Sequence, residues 1–278
     1  MIKRIKKYLL AIWAENIKEW KIELSYKADF LRTFIDPIVY LLPYLLYGIA
    51  IVGGRESQEL KRLTGMGDIV SFILLGYIFI GFMNMALWAM GFSLRKEQYY
   101  GTLEQVFSTP VPRWVFTLGM ALHSTLHQTL ILIFQIIIIN LIFTLRFNIS
   151  GILPSLIIIA LMLLSLYGFG MMIAGLTLTL KQGWLVSEAL SGIMMVITPI
   201  AYPLAVLPIF LRKASFFIPS TYGIIATRHF LLNERLEISL TTIYLRLFLL
   251  TMVWISFGLI VFYLIDKKTR KTGTLHTY

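Results

Sequence analysis

The chain has 278 residues, 58% of them hydrophobic and only 14% charged, with a mean hydropathy of +0.79. A soluble domain carries about 25% charged residues, so this composition excludes one and defines an integral membrane protein. The net charge of +11 bears on topology and lipid contact; there is no basic soluble domain to hold nucleic acid, and with no cysteine disulfides and thiolate metal sites are excluded.

Residues 1–30 open on charge, without the short apolar core and small-residue cleavage site of a signal peptide. Leu9, Trp13, Ile17, Trp20 and Leu24 recur at steps of four, four, three and four, which is one helical face, with Lys18 and Lys21 away from its centre. This predicts an amphipathic helix lying in the membrane interface, with packing on a soluble partner as the other reading.

Six continuously apolar runs follow, at 37–52 (completed by the residues before it), 69–94, 114–145, 152–180, 185–206 and 242–265. Most reach the roughly 20 residues that an α-helix needs to cross about 30 Å of hydrocarbon. They lack strand-like alternation, so a helical bundle is expected and not a barrel. Before the first span stand eight basic residues, Lys3, Arg4, Lys6, Lys7, Lys18, Lys21, Lys27 and Arg32, against four acidic ones; after the last come Lys267, Lys268, Arg270 and Lys271. Both termini are therefore expected in the cytoplasm, together with the loop at 95–113. The Gly-rich, charged loop at 53–68 reads as solvated, with no chemistry of its own.

The stretch "KEQYYGTLEQVFSTPVPRW", residues 96–114, is the long polar interruption. Gly101 breaks the preceding helix, and Thr102 with Gln105 makes a capping-box pattern. Leu103, Val106 and Phe107 stand at i, i+3 and i+4 of a short helix that Thr109, Pro110 and Pro112 stop. Glu97 and Glu104 add negative charge near its start, where the macrodipole favours it. A connection alone needs only a few turn residues, so a small apolar knob here reads either as a docking surface or as a helix lying on the bilayer.

This stretch, from Arg95-Lys96-Glu97 through Gly101-Thr102-Leu103-Glu104 to Thr109-Pro110, resembles the loop between the second and third spans of type-2 ABC exporter permeases. Span count, termini and the interfacial helix are similar to that family over essentially the whole chain, read as a single domain, 1–278. The resemblance implies that 101–109 form the coupling helix, which seats in a groove of a separate ATPase subunit. Glu97, Gly101, Thr102 and Glu104 are then its motif positions, and Leu103, Val106 and Phe107 fill the groove, Phe107 foremost. It also implies a second permease copy or a homologue, and a prokaryotic cell membrane.

A second likeness lies in "IPSTYGIIATRHFL", residues 218–231, where Pro219, Tyr222 and Arg228 match the family's short re-entrant helices on the outer side, with Ile218 in place of a common Asn. The segment 207–232 is too polar and proline-broken to span and too apolar for a free loop, so partial insertion is expected on physics as well; an ordinary interfacial hairpin is the alternative. The basic stretch that glycan-exporting members carry before the first span is absent from "ELSYKADFLRTFIDP", which favours a drug, antibiotic or lipid-like substrate over a polysaccharide or teichoic acid.

The dipeptide Gly-Lys never occurs, so the chain has no phosphate-binding loop, binds no cofactor of its own, and leaves ATP and Mg to the partner ATPase. Gly168, Gly170, Ala174 and Gly175 offer close packing, within the chain or between copies. In the third span Ser124, Gln128 and Gln135 fall within about 40° of one another, flanked by His123 and His127, and such a polar stripe faces protein or a water-filled cavity. It is a candidate pathway lining or an interhelical hydrogen-bonding seam. The two histidines have zinc-pair spacing but no third ligand in sequence, so no metal is expected. Glu188 sits near one membrane surface, where snorkelling or pairing accounts for it. An ion-coupled secondary carrier is the rival class, but it needs intramembrane acids or broken helices at midplane. A membrane enzyme lacks its motifs here.

Overall fold

The computed structural model describes residues 2–180 and 183–272. Among them the chain is almost wholly helical: α1 Ile2–Ser25, α2 Lys27–Val52, α3 Gln58–Thr64, α4 Ile69–Asn84, α5 Ser93–Tyr99, α6 Leu103–Ser108, α7 Arg113–Phe143, α8 Ile152–Thr179, α9 Gly183–Ile197, α10 Ile209–Ser215, α11 Pro219–Leu232 and α12 Leu240–Thr272. Short 3₁₀ turns stand at Ile149–Gly151 and Leu204–Val206. The side chains of Arg270 and Lys271, counted in the C-terminal basic cluster, lie outside the described residues.

Among the described residues five segments are long and apolar enough to cross a membrane: α2, α4 with its π-helical continuation to Met90, α7, α8 and α12. The fifth run, at 185–206, gives a shorter helix than expected among the described residues. Its helix, α9, has 15 residues, about 22 Å at 1.5 Å per residue, which falls short of a bilayer core. The helix stops because Pro199 and Pro203 follow within six residues and the backbone between them is irregular.

The bundle is built around α4, which is enclosed by α2, α7, α8, α9 and α11. Its last turn widens into a π-helix at Met85–Met90, a geometry that leaves carbonyls without their usual partners. Neighbouring helices supply donors: Ser187 Oγ bonds the Leu87 carbonyl at 2.9 Å and Thr177 Oγ1 the Gly91 carbonyl at 2.8 Å. The small residues of α8 are consumed inside the chain. A Cβ at Gly168 would lie 2.4 Å from the Trp254 backbone, one at Gly170 2.8 Å from the Ala86 carbonyl, and one at Gly175 3.2 Å from Phe262 Cα.

At the end carrying α3, the loop at 53–68 exposes Glu56, Glu59, Lys61 and Arg62 as a solvated loop does, and it is also folded. Ser57 caps α3 through the Leu60 amide, and Arg55 ion-pairs with Asp68 at 2.8 Å while donating to the carbonyls of Phe143 and Thr144. That staple ties the ends of α2, α4 and α7 together.

Candidate functional site

The opposite end of the bundle carries α1, α5 and α6. Gly101 adopts φ +71°, a left-handed conformation natural to glycine, and turns the chain so that α6 runs from Leu103 to Ser108, with Thr109 extended just beyond it. The expected capping box does not form. Thr102 Oγ1 donates to Glu97 Oε2 and to the Glu97 carbonyl, so the hydroxyl secures the turn behind the helix and not the amides ahead of it. Nor is the apolar knob offered to solvent. Leu103 is buried among Met90, Leu94, Ala121, Met171, Ala174, Leu178 and Phe262, with Phe107 packed against that cluster, and Val106 is half-buried. The Arg113 guanidinium covers one face of the Phe107 ring at 3.4 Å and ion-pairs with Asp266, which joins α6 to α7 and α12. What α5 and α6 expose is Tyr99, Tyr100, Glu104, Gln105, Ser108, Thr109 and Pro110.

Below this loop α1 lies along α7, with Leu9, Trp13, Ile17 and Leu24 exposed, whereas Trp20, expected on the same face, turns inward against His123 and His127. A Cβ on Gly119 of α7 would lie 2.5 Å from Glu15 Cβ, and that glycine permits the close approach. The inward face of α1 is acidic: Glu15, Glu19 and Glu23, spaced by four. Lys18 Nζ lies 2.7 Å from Glu15, 3.1 Å from Glu19 and 2.9 Å from Glu97, and Lys96 lies 2.6 Å from Glu19. Three carboxylates thus share two ammonium groups. Burial pushes the Glu15 carboxyl up to about 7 against the pull of Lys18. Burial also opposes ionisation of Glu19, but Lys96 and Lys18 outweigh it and hold that carboxyl below its usual range. For Lys18 burial is likewise the largest effect and opposes its charge, yet Glu15 and Glu97 more than offset it and raise its pKa.

Ser124, Gln128 and Gln135 line one cavity of about 500 Å³ between α1, α2, α4 and α7, within the range typical of ligand pockets. Gly81 makes room for Gln128, whose amide would lie 2.1 Å from a Cβ there. His123 and His127 line it too, with Trp20 edge-on to both. Glu23 Oε1 stands 3.1 Å from His123 Nε2 and 3.8 Å from His127 Nδ1. Asn84, which accepts a hydrogen bond from Ser191 of α9, and Trp88 of the π-helical turn complete the wall. Sequence reasoning named the α7 stripe and missed Glu15, Glu19, Glu23 and Lys18, although the i, i+4, i+8 spacing of the acids was visible.

Pro219 occupies the first turn of α11, and Tyr222 and Arg228 are buried. Arg228 donates to the Pro199 and Phe72 carbonyls at 2.7 and 2.8 Å and to that of Ile200, with its guanidinium 3.5 Å from the Phe72 ring. The turn before α11 sits well below the end of α12: Trp254 Nε1 donates to the Phe217 carbonyl, and Trp254 lies about 21 Å along α12 from Leu240. Glu188 is exposed on α9, one turn after exposed Trp184.

Spanning helices arranged around α4, with a broken hairpin at one end and a seated short helix at the other, define a multi-pass helical membrane protein. The ABC-2 type transporter family matches residues 7–232, and the chain belongs to that family; this domain is a membrane transport component and not a catalytic ATPase. No curated protein matches the chain.

Proposed function

We propose that the chain is the permease subunit of an ATP-driven exporter, moving a hydrophobic or amphiphilic substrate, such as a drug, antibiotic or lipid-like molecule, out of the cytoplasm or the inner leaflet. ATP and Mg are held by separate ATPase subunits, which dock on the loop at 95–113, and the permease works with a second copy or a homologue. It lies in a prokaryotic cell membrane with both termini cytoplasmic, which puts α10 and α11 on the outer side as a re-entrant lid over the exit.

The observation that carries this reading is the seating of α6. It is fixed from behind by Thr102 on Glu97 and from beneath by Phe107 under Arg113, so a push on its exposed face moves α7 and α12 and is not absorbed by a loose loop. The docking face is then the outward one, led by Tyr100 and Gln105, with Leu103 and Phe107 as its foundation. Ser124, Gln128 and Gln135 line the path, and the aromatic and amide walls of that cavity suit an amphiphile better than a long, uniformly polar glycan.

The test is co-purification from native membranes of the intact protein and of a Tyr100→Ala, Gln105→Ala double variant, with ATP hydrolysis measured on both. An ATPase recovered with the first and lost with the second, at equal thermal stability, is the expected result. Equal recovery, or none with either, would remove this loop as the docking element and favour an ion-coupled carrier.

A further inference from the structure

The cavity between α1, α2, α4 and α7 has a charge pattern that its hydrogen-bonding stripe does not explain. Three carboxylates line it, Glu19, Glu23 and Asp36, together with Lys96. Glu19 is paired with Lys96 and Lys18, and Asp36 with Arg32 at 2.9 Å. Glu23 alone of the three has no lysine or arginine partner among the described residues. Its neighbours are the imidazoles of His123 and His127, and its Oε2 is shielded from solvent with no hydrogen-bond partner.

Two further features aim at a ligand. Gln135 is 2% exposed, lines the cavity, and its Oε1 likewise has no partner. Buried polar groups are ordinarily paired; here Glu23 Oε2 and Gln135 Oε1 are acceptors without a partner, and both ring nitrogens of His123 on the same cavity lack one too, which marks a place built for a polar ligand. The same cavity has aromatic walls: Tyr40, Tyr77, Trp88 and Phe92 line it. His123 and Gln135 are twelve residues apart on α7, so the cavity runs about 18 Å along it, long enough for a headgroup and an apolar body.

We infer that this cavity binds an amphiphilic cation, with its positive group on the Glu23 carboxylate, its body along the Tyr77 and Trp88 rings, and a donor on Gln135. Aromatic faces attract cations, more strongly away from water, and a half-buried carboxylate whose basic neighbours are two imidazoles, with no lysine or arginine among the described residues, favours a charge that the ligand brings. Lys96, the one ammonium among the lining residues, is already paired with Glu19, which leaves an anionic substrate only the imidazoles of His123 and His127. The inference rests on the exporter reading only for its direction of transport; the binding itself needs neither ATP nor a partner subunit.

The experiment measures binding of radiolabelled tetraphenylphosphonium to the intact chain in neutral detergent, with tetraphenylborate as its counterpart of similar size and opposite charge. Wild-type protein is expected to prefer the phosphonium, Glu23→Gln to weaken it about tenfold, equivalent to about 1.4 kcal/mol, and Glu23→Asp to restore most of the affinity. Equal binding by a Glu23→Gln variant of unchanged thermal midpoint overturns the inference, and so does equal binding of the two ions to wild type, a result that stands even where the variant fails to fold. Nanodiscs separate the sources of the cation. Competition by phosphatidylethanolamine, absent with phosphatidylglycerol, assigns the group to a lipid headgroup, whereas undiminished phosphonium binding in both assigns it to a non-lipid amphiphile. Loss of ATPase co-purification with cation binding intact would count against the exporter reading alone.

Discussion

Lys18 of α1 and Glu97 of α5 are 79 residues apart and joined by a 2.9 Å ion pair. The pair ties the interfacial helix to the turn that sets the start of α6, because the other oxygen of Glu97 accepts from Thr102. Glu97 is almost fully buried and Lys18 about one-third exposed, so truncating either leaves the partner incompletely satisfied. Lys18→Met and Glu97→Gln should each lower stability by roughly 1–3 kcal/mol. Together they should cost less than their sum, with a coupling of about 0.5–3 kcal/mol. Reversible unfolding of the four proteins in detergent measures the cycle; additivity within about 0.3 kcal/mol would show that the contact carries no coupling.

Glu15 gives the same cluster a pH dependence of definite sign. Its folded-state pKa, raised by burial to about 7, lies above the unfolded value near 4.3, so between those values the folded state holds the proton more tightly. Stability from this group is fully present below the unfolded value and is lost as pH rises through about 7. Glu19, with its pKa lowered, contributes stability that is lost only on acidification below the usual carboxylate range. Thermal midpoints at pH 5 and pH 8 should therefore fall further for wild type than for Glu15→Gln; an equal fall in both would refute the assignment.

Much of this was legible in the chain because membrane burial writes itself in long apolar runs, and the bounds expected for the third and fourth spans lie within about two residues of α7 and α8, while α12 runs seven residues past the expected end of the sixth. The fifth run misled because composition stays apolar through Val206 while Pro199 and Pro203 end the helix early. The stripe of Ser124, Gln128 and Gln135 was legible from periodicity alone. The direction of Leu103 and Phe107 was not: helical spacing shows that residues share a face, and only the tertiary arrangement decides that this face meets Met90 and Phe262. Glu23 was invisible for a related reason, since its significance comes from α7, a hundred residues on.

Arg228 is among the largest fully buried side chains, and it holds three carbonyls from two parts of the chain, Pro199 and Ile200 beside α9 and Phe72 in α4. Lysine keeps the charge but not the planar fork. Arg228→Lys is therefore expected to destabilise by roughly 2–4 kcal/mol, leaving at least one carbonyl unsatisfied. Gly76→Ala should be as damaging from the other side, because its Cβ would lie 1.8 Å from the Ile200 carbonyl. Unfolding in detergent tests both; a loss under about 0.5 kcal/mol in either would show that the turn at 198–203 yields freely.

The two faces of α6 should respond oppositely to mutation. Leu103 fills a closed cluster, so Leu103→Ala removes buried methyl groups from a site that cannot collapse easily, at a cost of roughly 2–4 kcal/mol. Gln105 is exposed, and Gln105→Ala should change stability by less than about 0.5 kcal/mol. If the outward face carries the ATPase, Gln105→Ala combined with Tyr100→Ala weakens ATPase recovery with the thermal midpoint unchanged, whereas Leu103→Ala lowers the midpoint first and ATPase recovery only in proportion to unfolded protein. Measuring both quantities on the same preparations separates the cases. Normal stability of Leu103→Ala with lost recovery would mean that Leu103 turns outward in the assembled transporter, and that α6 rotates on docking.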